Sequence, residues 1–176
     1  MRRAAVRLYN ELITFFIKHQ MNNKNNRSHI IGVIGGGQCS TDIAYQAEEV
    51  GKEIARKGGI LICGGLGGVM EAACRGAKKE NGLTIGVIPG SRKDDANPYV
   101  DIPIVTGMGV ARNIIIIRSA HGVIAINGKY GTLSEIAFCL EFKIPLVGLG
   151  TWDIDPSIKQ AAKAKEAVEW IFKMIK

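Results

Sequence analysis

The stretch Ile30-Ile31-Gly32-Val33-Ile34-Gly35-Gly36-Gly37 decides the fold. It is an apolar run too short for a buried helix, and three glycines end it. It therefore reads as a strand buried on both faces of a parallel sheet, with a tight turn behind it. The same signature returns at 60–63 before Gly64-Gly65-Leu66-Gly67-Gly68, and at 122–126 before Asn127-Gly128-Lys129-Tyr130-Gly131-Thr132. Two more apolar runs lie at 83–88 and 145–149. Between the runs, stretches of helical period fall at about 41–57, 68–80, 108–119, 132–143 and 156–175. This alternation predicts an α/β fold: a doubly wound, mostly parallel, Rossmann-like sheet in a single domain. One junction departs from it. A polar loop at 91–98 leads into 100–105, which reads as a short extra strand, and irregular loops at strand ends are where open α/β sheets place ligand contacts.

At 176 residues the chain has room for one such core. Its net charge of +7 invites a nucleic-acid or membrane partner until the charges are located. Residues 1–29 hold six Lys or Arg against one Glu, and 156–176 hold five Lys against two Glu, which leaves 30–155 at −1. The positive charge belongs to the two ends, so neither nucleic acid nor membrane is expected as a partner. Near the first end, Val6, Tyr9, Ile13 and Phe16 share one helical stripe, followed by the Asn-rich Met21-Asn22-Asn23-Lys24-Asn25-Asn26-Arg27-Ser28. Residues 1–28 therefore read as an accessory amphipathic helix and polar linker, and 29–176 as the domain. The apolar part is short, Glu11 and Lys18 flank it, and no small-residue cleavage site follows, which argues against a targeting peptide. Cys39, Cys63, Cys74 and Cys139 form no C-x-x-C pair. A reducing, cytoplasmic setting with no metal site is expected.

Glycine gathers where strands hand over to helices. A bare backbone there can approach a ligand closely, and helix N-terminal N–H groups favour phosphate. The first turn does not complete G-x-G-x-x-G, because Ser40 stands at the third position. Gly128-Lys129 is not a P-loop, because Tyr130 stands where Ser or Thr would hold magnesium. Such glycines can also serve only tight turns and close packing, but three turns of this kind in one small domain favour a phosphate-bearing ligand in a shared crevice.

Met108-Gly109-Val110-Ala111-Arg112-Asn113, Arg118-Ser119-Ala120-His121 and Gly128-Lys129-Tyr130-Gly131-Thr132-Leu133-Ser134-Glu135, together with Gly64-Gly65-Leu66-Gly67-Gly68-Val69-Met70-Glu71, resemble the LONELY GUY (LOG) family over about residues 30–150. The likeness is greatest to its branch of small Rossmann-like proteins and molybdenum cofactor carriers, which Asn97-Pro98-Tyr99 also resembles. The resemblance implies a nucleotide ligand and a homodimer or higher oligomer, with the run 114–117 packed across a two-fold axis. It implies one of two activities. The first is hydrolysis of the N-glycosidic bond of a nucleoside 5′-monophosphate, with no cofactor, in which Arg112 and Glu135 take the catalytic positions. A carboxylate there would stabilise the oxocarbenium charge that develops on the sugar. The second is non-catalytic carriage of molybdenum cofactor or another pterin nucleotide. In either, Gly35, Gly36, Gly64, Gly65, Gly67, Gly68, Gly128, Lys129, Gly131 and Thr132 would hold the phosphate-bearing ligand. Asn127, Lys129 and Asn113 replace the enzymes' Pro, second Gly and basic residue, which weighs more against catalysis than against binding.

Other readings stand beside these. Thr132 and Glu135 have the spacing of a capping box, so Glu135 could simply serve the helix start. Glu71 reads as a first-turn helix residue, His121 as a plain polar residue, and Cys39 and Cys63 as small buried side chains. Asn97 and Tyr99 read as ligand or interface residues, and Arg118 as a surface or subunit contact.

Overall fold

Every apolar run is a strand. In the computed structural model, residues 28–175 are described, and the expected accessory helix and linker lie outside them except for Ser28. The strands are β1 (Ile30–Gly35), β2 (Ile60–Cys63), β3 (Thr84–Ile88), β4 (Ile102–Val105), β5 (Gly122–Ile126), β6 (Leu146–Leu149) and β7 (Lys159–Gln160). The helices are α1 (Thr41–Arg56), α2 (Val69–Lys79), α3 (Asn113–Ser119), α4 (Tyr130–Glu141) and α5 (Ala164–Met174). The strands form one sheet in the order β4-β3-β2-β1-β5-β6-β7, and every pairing is parallel.

Alternate residues of the central strands serve two separate cores, as the two-residue period of a strand requires. Ile31, Val33, Leu61, Ile124 and Ile126 pack with Val50 and Ile54 of α1, Ala73 of α2, and Val168 and Ile171 of α5. On the other face, Ile34, Ile62, Val87 and Val123 pack with Ile116 and Ile117 of α3 and Ile136 and Cys139 of α4. Both faces of the sheet are covered, which is why the strands read as unbroken apolar runs. Ser40 caps α1 by accepting the Ile43 N–H. Where α1 crosses α2 the backbones touch: a methyl on Gly51 would land on the Ala73 carbonyl, and one on Gly76 on the Glu48 carbonyl.

Three expectations change. The helix expected over 108–119 is a 3₁₀ turn at Gly109–Arg112 followed by α3, because Gly107 and Gly109 both have positive φ and break the helical path. The helix expected over 156–175 begins at Ala164. Before it, Asp155 accepts the Ser157 N–H and hydroxyl in a tight turn, β7 pairs with β6, and Glu166 accepts the Ala162 N–H at the helix entry. The run 114–117 does not lie whole on a surface, because Ile116 and Ile117 are fully buried in the core and only Ile114 and Ile115 are half-buried. Among the described residues no helix is long and apolar enough to cross a membrane.

Candidate functional site

The chain builds β2, β3 and β4 outward on one side of β1, then returns to lay β5, β6 and β7 on the other. The loops leaving β1 and β5 therefore diverge, the first toward α1 and the second toward α4. A crevice opens between them at the C-terminal ends of the strands.

The second glycine turn folds onto the first. The Val69 N–H donates to the Gly36 carbonyl at 3.0 Å, and Gly68, with φ of 64°, lies so close to Gly36 and Gly37 that no side chain fits between them. Asn97 braces this turn from below: its Nδ2 donates to the carbonyls of Gly65 (3.1 Å) and Leu66 (2.9 Å), and its own N–H also reaches Gly65. Gly64 is left facing the crevice, and the Arg112 guanidinium lies across its bare Cα. The third turn closes early, because Asn127 (φ 48°) and Gly128 (φ 105°) reverse the chain and the Thr132 side chain fills the space that Gly128 leaves. Lys129 is the N-cap of α4 and makes no side-chain cap. The first-turn N–H groups, those of Gly131 and Thr132 among them, thus have no carbonyl partner within the helix.

Gly35, Gly36, Gly64, Arg112, Gly128, Lys129, Gly131, Thr132 and Glu135 line one cavity of about 540 Å³. Gly65, Gly67 and Gly68 do not line it; they sit behind Gly64, against β3 and the first turn. Gln38, Leu66, Met70, Val110 and Asn113 also line it; of these the sequence marks Asn113 only as a departure from the enzymes' motif, and gives the others no site role. For Val110 and Asn113 the signal was there, since both belong to the motif that carries Arg112.

Arg112 and Glu135 meet at the cavity floor, with Nη1 3.5 Å from Oε1 and only 8% and 6% of the two residues exposed. Burial pushes the Glu135 carboxyl up to about 7 against the pull of Arg112, and burial likewise lowers Arg112 from its ordinary value. The capping-box alternative is corrected: α4 starts at Tyr130, so Thr132 lies inside the first turn and Glu135 in the second. Asn97 braces the second turn and does not line the cavity. Arg118 stacks over the Phe142 ring of its own chain at 4.3 Å. His121 accepts the Ile30 N–H at the opposite end of β1. Cys63 is buried, whereas Cys39 is only half-buried. Among the described residues no three His, Cys, Asp or Glu side chains gather as metal ligands would.

The model of the SLOG cluster4 family matches residues 28–174. A protein of Archaeoglobus fulgidus is 50% identical over 111 residues, which cover 63% of this chain and 73% of that protein. The molybdenum cofactor binding protein of Rippkaea orientalis is 37% identical, with a TM-score of 0.81 over 85% of this chain and 99% of that one. The molybdenum cofactor carrier protein MCP of Chlamydomonas reinhardtii is also 37% identical, with a TM-score of 0.79 and the same coverage.

Proposed function

The chain belongs to the SLOG cluster4 family, and on that premise we propose that it carries molybdenum cofactor, or another pterin nucleotide, without consuming it. The observation behind this reading is the build of the cavity in a chain so similar to two proteins that hold this cofactor. Its walls are the backbone of Gly35 and Gly36 and the planar Arg112 guanidinium lying across Gly64, a face on which a flat ring system can lie, and an uncapped helix start faces them. The cargo phosphate sits at that start, on the N–H groups of Gly131 and Thr132 with the Lys129 ammonium beside them. Arg112 and Glu135 bind the cargo from below. Gly65, Gly67 and Gly68 shape the turn behind Gly64. The carrier works as a homo-oligomer in the cytoplasm, with neither nucleic acid nor membrane as partner. Support for the oligomer comes from edge strand β4, which leaves Ile102, Ile104 and Val105 exposed.

A second reading, hydrolysis of a nucleoside 5′-monophosphate, draws on one observation: a carboxyl that titrates near neutrality beside an arginine in a nucleotide-sized cavity. A two-part experiment separates the readings. Protein purified from cells that make the cofactor is denatured and oxidised, and the released pterin is read by fluorescence and mass spectrometry. The same protein is incubated with the common nucleoside monophosphates. The carrier reading expects pterin in proportion to chain and no free base above the level of Glu135→Ala. No pterin, or base released only by the unaltered protein, overturns it.

A further inference from the structure

One nitrogen of Arg112 faces two acceptors. Nη1 donates to the side-chain oxygen of Asn113, while Oε1 of Glu135 stands 3.5 Å away, beyond a good charge-assisted hydrogen bond. Asn113 is itself held in place. Its Nδ2 donates to Oγ of Ser134 at 3.3 Å, and that hydroxyl donates to the Gly131 carbonyl at 2.7 Å. A relay of three hydrogen bonds therefore runs from the guanidinium on the cavity floor, through the first residue of α3, to the first turn of α4. On its other side the guanidinium is pinned over Gly64, and its Nε is buried with no partner.

We propose that Asn113 is a positioning residue of this cavity: anchored by Ser134, it holds Nη1 and keeps the Arg112 guanidinium from closing onto Glu135, so that both side chains remain open to the bound molecule. The proposal rests on the cavity being the cargo site, and it adds how that site is kept receptive. A guanidinium and a carboxylate locked together satisfy each other and offer a ligand little. Held slightly apart in a dry cavity, each retains unmet hydrogen-bonding capacity, which cargo can then meet. The same relay ends on Gly131, so the residues that grip the phosphate and those on the floor are set by one network.

The charge state of Glu135 reports on this arrangement. The charged and titratable groups around it are Arg112 from the turn before α3, Cys63 at the end of β2, Cys139 one turn further along α4, and Lys129 on the cavity wall. Of these, Arg112 is the one that Asn113 touches.

The test needs no cargo. Full-length protein carrying ¹³C at the glutamate carboxyls is titrated between about pH 5 and 9, and the Glu135 resonance is assigned by its loss in Glu135→Gln. Asn113→Ala frees Nη1 to close the ion pair, and the Glu135 midpoint falls by about 1 unit. Asn113→Asp competes harder for Nη1 and adds a negative charge nearby, so the midpoint rises above that of the unaltered protein. Ser134→Ala loosens Asn113 at an exposed position and shifts the midpoint the same way as Asn113→Ala, by less. A lowered midpoint in both Asn113→Ala and Ser134→Ala is the signature of positioning, because a merely structural asparagine would leave it unmoved; the rise in Asn113→Asp reports the added charge and shows that the site senses it. Midpoints unmoved in Asn113→Ala and Ser134→Ala overturn the proposal. Ser134→Ala decides it should Asn113→Ala not fold. A protein that holds no pterin would sink the carrier reading while leaving this readout intact.

Discussion

Glu135 keeps its proton to about pH 7 in the folded protein, whereas an unfolded chain releases it near 4.5. Between those values the native state binds more protons than the unfolded one, so stability falls as pH rises. The contribution is present in full below about pH 4.5 and is lost above about pH 7; its size is about 3 kcal/mol. Glu135→Gln cannot ionise. It should match the unaltered protein near pH 4 and exceed it by up to about 3 kcal/mol above pH 8, as read from urea unfolding at the two pH values. A gap of the same size at both would show that Glu135 does not titrate as described. Arg112 and Glu135 could be named as candidates because the resemblance to the LOG family carries them; spacing alone left Glu135 equally open to a helix-capping role. The roles of Asn113 and Asn97 were not legible in the sequence, because each depends on what a short amide side chain meets across the fold.

At the scale of elements, strands read well and small irregularities did not. An apolar run covered on both faces has no polar residue to confuse it, so β1, β2 and β5 were plain. β7 has two exposed, polar residues and pairs only with β6, so nothing in Lys159-Gln160 announces a strand. Glycine posed a different problem. Gly64 lies at a cavity wall and Gly68 is closed against a neighbouring turn, and nothing in the run Gly64-Gly65-Leu66-Gly67-Gly68 announces the difference. Gly76 in α2 is a third kind, since its missing side chain lets two helices touch. Gly76→Ala improves helix propensity by about 1 kcal/mol but drives a methyl into the Glu48 carbonyl. The net result should be a loss of about 2 kcal/mol or more, seen as a lower melting temperature. An unchanged melting temperature would mean that α1 can slide away freely.

For the whole molecule, the net charge of +7 is a property of the ends, and the cavity draws its positive potential from Arg112, Lys129 and a helix start within a nearly neutral domain. Its lining runs from Val33 to Glu135. A protein lacking residues 1–28 should therefore retain pterin to the same extent as the full chain after identical purification. Loss of bound pterin on that truncation would show that the basic end takes part in holding cargo. The outward-and-return path of the chain has one more consequence, for synthesis. One wall of the cavity is complete once α2 has left the ribosome, but the other follows only after β3, β4 and α3 have been made. On the carrier reading, a nascent chain cannot be loaded before α4 emerges, and two fragments divided in the exposed loop at 91–95 would each carry half a cavity, so that cargo would be held only where the halves had found each other.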